Sequence, residues 1–181
     1  MAYGHGISVS LMQLARAYTV FAREGDMIPL TLTKLDAAPL VATPVFSQQT
    51  VREMRAMLEM AVQEGGTAPK AQIPGYRVAG KTGTAYKLEG GQYVKKYVAS
   101  FVGFAPATDP RLIVAIMIDE PGSNQHYGGD VAGPVFASVM SGALRTLGIA
   151  PDSTIRAEGK ASGMQMAQGA THSTSVAKEE L

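Results

Sequence analysis

The hydrophobic positions in the first 66 residues predict two amphipathic helices. In each stretch the apolar residues recur every three or four positions, which gives a helix one buried face. Gly25 ends the first helix, while Ser47 is a suitable N-cap for the second, which Gly65 and Gly66 end. Residues 28–35 alternate between apolar and polar and predict a peripheral short strand or extended arm. The two stripes are Leu11, Leu14, Ala15, Tyr18 and Ala22, then Val51, Met54, Met57, Leu58, Ala61 and Val62.

The pattern then changes to a period of two, which predicts three strands over residues 76–87, 97–104 and 111–119. Residues 89–92 and 108–110 are short turns rich in glycine, aspartate and proline. Because tight turns join neighbouring strands in opposite directions, the three strands form an antiparallel meander. We expect residues 76–87 at the edge of the sheet. The third strand is apolar on both faces, so we expect it to be central and covered on both sides.

A last helix is predicted to begin at Gly133-Pro134 and to end at Gly148. Its apolar residues again follow the helical period. After Pro151 the sequence becomes rich in Ala, Gly, Ser, Thr and Gln, with no periodicity. The sequence therefore predicts an α+β domain in residues 1–150, with helices packed on the meander, and a disordered tail in residues 151–181.

The composition excludes several classes of protein. The chain has 181 residues, of which 46% are hydrophobic and 17% charged, and its formal net charge is +1, so nothing favours a nucleic acid partner. It has no cysteine and three scattered histidines, so no metal site and no cofactor are predicted. The longest apolar run, residues 112–118, is far shorter than the roughly 20 residues of a membrane helix. Because Met1 lies so close to a core helix, we interpret it as a truncation point, with any anchor or export signal outside this sequence.

Residues 75–87 contain the candidate chemistry, which suits an anion. Lys81 offers a positive charge, Thr82 and Thr84 offer hydroxyl donors, and Gly83 permits close approach to the backbone. One interpretation is a phosphate-loop ATPase, since Gly75-x-x-x-x-Gly80-Lys81-Thr82 matches the motif and Asp119 could bind magnesium. That motif needs a strand before it and a helix after it, whereas the flanking residues are polar, proline-containing or glycine-rich. The meander also lacks the parallel strand order of such a fold.

The other interpretation is the Lys-Thr-Gly element of penicillin-binding proteins and serine β-lactamases, which lies on a strand. The residues around it have the β-branched and aromatic side chains typical of strands. Strict alternation places Lys81 on the face opposite Thr82 and Thr84. A site that uses all three side chains must therefore lie along the edge of the strand.

Several further motifs follow one another in the order of one protein family. They are Tyr3-Gly4-x-Gly6, Leu11-x-Gln13-Leu14-Ala15-Arg16, Gly75-Tyr76-Arg77-x-Ala79-x-Lys81-Thr82-Gly83-Thr84-Ala85, Gly103-Phe104-Ala105-Pro106, Tyr127-Gly128-Gly129 and Ala132-x-Pro134-Val135-Phe136. With these motifs, residues 1 to about 151 closely resemble the C-terminal part of the transpeptidase domain of class B penicillin-binding proteins, particularly the septal, FtsI-type enzymes. The resemblance implies part of the α+β fold shared by penicillin-binding proteins and serine β-lactamases.

The resemblance also implies a chemistry and a place. A serine would attack the terminal D-Ala-D-Ala of a peptidoglycan stem peptide and expel D-alanine, and β-lactams would mimic that substrate. By resemblance, the Thr84 amide contributes to the oxyanion hole, the Thr82 and Thr84 hydroxyls bind the substrate carboxylate next to Gly83, and Lys81 supplies positive potential. The parent enzyme would lie in the bacterial inner membrane, with this domain in the periplasm, and would bind membrane proteins of the division machinery.

One departure from the family is the absence of its serine motifs. Neither Ser-x-x-Lys nor Ser-x-Asn occurs before Lys81, and Ser175-x-x-Lys178 lies in the tail, where we interpret it as a coincidence. The chain alone is therefore expected to be inactive and to need the N-terminal half of the domain as a partner. A non-catalytic accessory fragment is a third interpretation. We also expect self-association through exposed helix faces, such as Leu11, Leu14 and Tyr18 or Met54 and Leu58.

Overall fold

The computed structural model describes residues 7–34, 41–122 and 124–153. Within these residues, three helices surround one three-stranded sheet and a minimal two-stranded one. The helices are α1 (Leu11–Ala22), α2 (Gln48–Met60) and α3 (Gly128–Thr146), and a short 3-10 helix covers Pro69–Ala71. The strands are β1 (Asp26–Met27), β2 (Thr43–Pro44), β3 (Ala79–Glu89), β4 (Gln92–Ala105) and β5 (Leu112–Asp119).

Serine side chains cap the starts of α1 and α2; the Ser47 cap was predicted, and the Ser10 cap was not. Ser10 accepts a hydrogen bond from the Gln13 amide, and Gln13 accepts one in return from the Ser10 amide. Ser47 accepts a hydrogen bond from the Thr50 amide. Each cap satisfies an amide that has no partner inside the helix, so both helices begin where the sequence predicts.

The antiparallel meander is confirmed, in the order β3, β4, β5. Gly90 and Gly91 make the two-residue turn between β3 and β4 with φ values of 59° and 82°, which glycine adopts without strain. As predicted, β3 lies at the edge of the described sheet. The expectation that β5 would be central was wrong for the described strands, because β4 lies between β3 and β5.

The apolar character of β5 arises from packing on both faces. On the face of α3, Phe101 and Phe136 pack edge to face with ring centroids 4.7 Å apart. On the opposite face, α1 and α2 cover Phe104. The residues of β5 are shared between the two clusters: Leu112, Val114, Ile116 and Ile118 pack towards α3, and Ile113 packs towards α1 and α2.

The helix faces expected to be exposed are mostly covered. Leu58 is buried, and Tyr18 and Met54 pack with it against Phe104 in the cluster under α1 and α2. The expectation was therefore wrong for these residues, because their stripes pack on the sheet. Leu11 is exposed, as expected. Other apolar side chains are more exposed: Met12, Met57, Met60, Val139 and Leu147.

The predicted start of the last helix was wrong. Helix α3 begins at Gly128 and not at Gly133-Pro134, because Tyr127 acts as its N-cap and its carbonyl accepts hydrogen bonds from the amides of Asp130 and Val131. Pro134 lies inside the helix, where its side chain is exposed. Residues 28–34 form no strand, so of the two alternatives the short strand was wrong; the short pairing uses β1 and β2 instead.

In the described part of the chain, no helix combines the length and apolarity needed to cross a bilayer. Asp152 and Ser153 are attached to the domain: Asp152 accepts hydrogen bonds from the amides of Arg77 and Thr108, and the Ser153 amide donates to the Gly75 carbonyl. Ser175 and the rest of the predicted tail lie outside the described residues.

Candidate functional site

The Lys-Thr-Gly element lies on β3, where two glycines let the strand pack closely on β4. A Cβ atom on Gly80 would lie 2.5 Å from the Phe101 ring, and one on Gly83 would lie 2.5 Å from the Ser100 Oγ. Both distances are too short for real carbon contacts. Glycine at these positions therefore brings Lys81, Thr82 and Thr84 to a strand edge that is firmly packed on the sheet.

Lys81 reaches around this edge towards the threonines. Its Nζ donates to the Thr82 carbonyl oxygen at 3.0 Å and to the Thr82 Oγ1 at 3.3 Å. The structure thus places the ammonium group beside a side chain that alternation puts on the opposite face of the strand. Lys81 is exposed, so its charge is available to a ligand at the edge.

The Thr82 and Thr84 hydroxyls are each held by another element. The Thr84 Oγ1 accepts a hydrogen bond from the Gly128 amide at 3.0 Å. The Thr82 hydroxyl donates to the Thr67 Oγ1 at 3.3 Å. Sequence reasoning did not find Thr67 or the contact made by Gly128. The motifs Gly65-Gly66-Thr67 and Tyr127-Gly128-Gly129 could have indicated these two contacts. Gly65-Gly66 was interpreted only as the end of a helix.

The first two residues of α3 are glycines because the helix begins against other backbone atoms. A Cβ atom on Gly128 would lie 2.2 Å from the Ser100 carbonyl oxygen and 2.6 Å from that of Gly83. A Cβ atom on Gly129 would lie 2.0 Å from the Thr67 carbonyl oxygen. The start of α3 therefore contacts both β3 and the segment that carries Thr67.

The backbone amides of β3 are the other hydrogen-bond donors at this edge. In an antiparallel strand, the amide and carbonyl of one residue point to the same side, and this side alternates along the chain. Since the Lys81 ammonium reaches the Thr82 carbonyl at the open edge, the peptide groups of Thr82 and Thr84 face that edge. The Thr84 amide is thus directed away from β4.

Aromatic rings lie beyond the threonines at the same end of α3. Tyr86 and Tyr97 have ring centroids 4.9 Å apart, Tyr97 stacks on His126 at 3.8 Å, and His126 lies 4.5 Å from Tyr127. His126 is therefore part of an aromatic cluster. In the residues that the structure describes, no group of three or more His, Cys, Asp or Glu side chains could bind a metal ion.

On its other side, Lys81 lines an open groove of about 630 Å³. The C-terminal half of α2 and the glycine turn that follows it form the opposite wall. The lining is mainly apolar and includes Met54, Met57, Met60, Ala61, Gly65 and Thr67.

A second lysine on β3 has a different environment. Lys87 forms ion pairs with Glu120 at 2.7 Å and with Asp119 at 3.0 Å. The hydrogen bonds to Glu120 and Asp119 raise the pKa of Lys87, and the hydrogen bond from Lys87 lowers the pKa of Glu120. Asp119, the residue considered as a magnesium ligand, thus pairs with Lys87. The phosphate-loop motif requires a helix to begin near Thr82, whereas β3 continues as a strand through this residue.

Comparison with known proteins gives consistent matches. The sequence model of the penicillin binding protein transpeptidase domain matches residues 1–141. The chain is 47% identical over 152 residues to the protein named "Probable peptidoglycan D,D-transpeptidase PenA" of Neisseria flavescens, covering 83% of this chain and 38% of that protein. It is 42% identical over 152 residues to peptidoglycan D,D-transpeptidase FtsI of Escherichia coli K12, covering 83% of this chain and 26% of that protein.

A solved structure shows the same fold. The apo transpeptidase domain of penicillin-binding protein 3 from Burkholderia pseudomallei superposes with a TM-score of 0.78 at 52% identity, over 84% of this chain and 47% of that one. The chain thus spans less than half of the length of these relatives. Since the sequence model covers most of the chain and the fold agrees, this chain belongs to the family of penicillin binding protein transpeptidase domains.

Proposed function

We propose that this chain forms the Lys-Thr-Gly wall of the active site of a peptidoglycan D,D-transpeptidase. The observation that supports this proposal most directly is the arrangement of Lys81, Thr82 and Thr84 at the open edge of β3, with one ammonium and two hydroxyls within reach of one ligand. The ligand would be the C-terminal carboxylate of a stem peptide that ends in D-Ala-D-Ala. β-Lactams, which carry a comparable carboxylate, would bind in its place.

Each group has a role that its chemistry supports. The carboxylate accepts hydrogen bonds from the Thr82 and Thr84 hydroxyls, and the positive charge of Lys81 stabilises it. Gly83 leaves room for the peptide along the strand edge. The Thr84 amide donates to the carbonyl oxygen of the scissile bond as negative charge develops there, and one such donor contributes about 3 kcal/mol to transition-state stabilisation.

A serine outside this sequence completes the reaction. Its oxygen attacks the carbonyl carbon of the penultimate D-alanine and the peptide bond breaks. The proton that the serine hydroxyl loses is transferred to the nitrogen of the departing D-alanine. The acyl group then passes from the serine to an amine of a second stem peptide. The segment with this serine would approach Lys81 through the groove between β3 and the end of α2.

The remaining parts of the proposal concern the whole protein. A segment corresponding to the N-terminal half of the domain is its first partner. The FtsI-type relatives suggest that the parent acts in septal cell-wall synthesis, anchored in the inner membrane with this domain in the periplasm, and contacts membrane proteins of the division machinery.

A chimaeric enzyme tests the proposal. Residues 1–153 would replace the matching segment of the transpeptidase domain from Burkholderia pseudomallei, whose remaining part is expected, from the family resemblance, to contain the serine motifs. We expect a fluorescent penicillin to label the chimaera covalently. Lys81→Met should slow labelling about 100-fold, because a charge-assisted hydrogen bond to the carboxylate is worth about 3 kcal/mol.

Lys87 provides the matched control, since it lies on the same strand and is held by carboxylates away from the edge. Lys87→Met should change the labelling rate by less than about fivefold, because solvent screens exposed ion pairs. If the chimaera folds and is not labelled, or if the two substitutions have equal effects, the proposed role of the Lys81 edge is wrong.

A further inference from the structure

Thr67 lies at the site, but the proposed function gives it no role. Its hydroxyl lies 3.3 Å from the Thr82 hydroxyl although the two residues are 15 positions apart. Its backbone is fixed on two sides. The neighbouring Ala68 amide donates to the Ala61 carbonyl at the end of α2, and Gly129 of α3 packs directly on the Thr67 carbonyl.

The segment before Thr67 is shaped to hold it there. Gly65 has a φ of 82°, and a Cβ atom on Gly66 would lie 2.5 Å from the carbonyl oxygens of both Met60 and Ala61. Only glycine fits this tight turn onto the end of α2. The turn and α3 together hold an exposed threonine side chain against the strand edge, at a defined distance from Thr82.

Counting protons shows what this contact does to Thr82. A hydroxyl has one proton to donate and two lone pairs that accept. In the structure, the Thr82 oxygen accepts from the Lys81 ammonium and its proton goes to Thr67. Thr82 can therefore donate to a carboxylate only if it releases Thr67.

We propose that Thr67 is a positioning residue for Thr82, and this inference rests on the proposed carboxylate site. When a carboxylate binds, the hydroxyl pair reverses its direction: Thr67 donates to the Thr82 oxygen, and Thr82 donates to the ligand. The Thr82 oxygen then accepts from both Lys81 and Thr67, which strengthens the hydrogen bond that it donates, because linked hydrogen bonds polarise one another. Thr67 thus adjusts the affinity of the site for anions through Thr82.

The full chain can test this inference without a nucleophile. The probe is N-acetyl-D-alanyl-D-alanine, titrated into the 181-residue protein while the threonine methyl signals are followed by NMR. We expect the signals of Thr82 and Thr84 to shift on binding. Thr67→Val should weaken binding about fivefold, the effect of one neutral hydrogen bond, whereas Thr67→Ser, which keeps the hydroxyl, should bind within about twofold of the unsubstituted chain.

Two controls separate positioning from a general structural effect. The neutral C-terminal amide of the probe should bind equally to the unsubstituted chain and to Thr67→Val, because Thr67 acts through the donor that the carboxylate uses. In a Thr82→Val background, Thr67→Val should cause no further loss, since the interaction that it supports is gone.

The outcomes distinguish this inference from the proposed function. Equal or tighter binding of the carboxylate by Thr67→Val, or a loss that persists in the Thr82→Val background, overturns the role of Thr67 and leaves the carboxylate site in place. If the unsubstituted chain shows no carboxylate-dependent shift at Thr82 and Thr84, the carboxylate site is wrong and the role of Thr67 is overturned with it.

Discussion

Replacing Gly128 by alanine should both destabilise the domain and disturb the threonine edge. The added methyl group would lie 2.2 Å from the Ser100 carbonyl oxygen and 2.6 Å from that of Gly83, and neither backbone atom can rotate away. Forcing extra atoms into a packed site costs about 1–3 kcal/mol. A shift of α3 that relieves the overlap would also lengthen the 3.0 Å hydrogen bond from the Gly128 amide to Thr84, which is worth about 1 kcal/mol. We therefore expect a loss of about 2–4 kcal/mol in the free energy of unfolding.

Gly142 is the matched control for this substitution. It lies in the same helix, and a Cβ atom there would meet nothing within 4 Å. Gly142→Ala should stabilise the chain by about 0.5–1 kcal/mol, because alanine loses less entropy than glycine in a helix. Urea unfolding followed by circular dichroism measures both variants, and the NMR signal of the Thr84 methyl group reports on the edge. Equal stability of the two variants, or an unchanged Thr84 signal in Gly128→Ala, would refute the close packing of α3 on β3.

Three further predictions concern pH, acylation and association. Burial raises the pKa of Tyr18 to about 12, so its contribution to stability is complete below about pH 10, the unfolded pKa, and is lost as the pH rises towards 12, by at most about 2–3 kcal/mol. Urea unfolding at pH 8 and pH 11 should show a smaller loss for Tyr18→Phe than for the unsubstituted chain, and equal losses would contradict this. A fluorescent penicillin should not label the isolated chain, and stoichiometric labelling mapped by mass spectrometry to any residue, including Ser175, would show that the chain has a nucleophile of its own. The exposed apolar side chains Met57, Met60, Val139 and Leu147 should cause self-association, and a monodisperse monomer in analytical ultracentrifugation would oppose this expectation.

The sequence predicted correctly those features of the fold that depend on residues close together in the chain. The Ser47 cap and the turn Gly90-Gly91 satisfy or relax backbone groups within a few residues, so the sequence located them well. The start of α3 was misplaced because Pro134 is suited to a first turn, whereas the true start depends on packing of Gly128 and Gly129 against distant carbonyl groups. Periodicity also does not indicate strand order, so the doubly covered β5 was expected at the centre.

The sequence by itself determined the family motif, the strand that carries it and the residues with the relevant chemistry, because these depend on residue type and short-range spacing. Only the tertiary structure decided how the hydroxyls are held. Thr67 reaches Thr82 from the turn after α2, and Gly128 reaches Thr84 from the start of α3, across separations of 15 and 44 residues. A hydrogen bond depends on the distance between two atoms, and for residues so far apart in the chain that distance is set by the packing of the helices on the sheet.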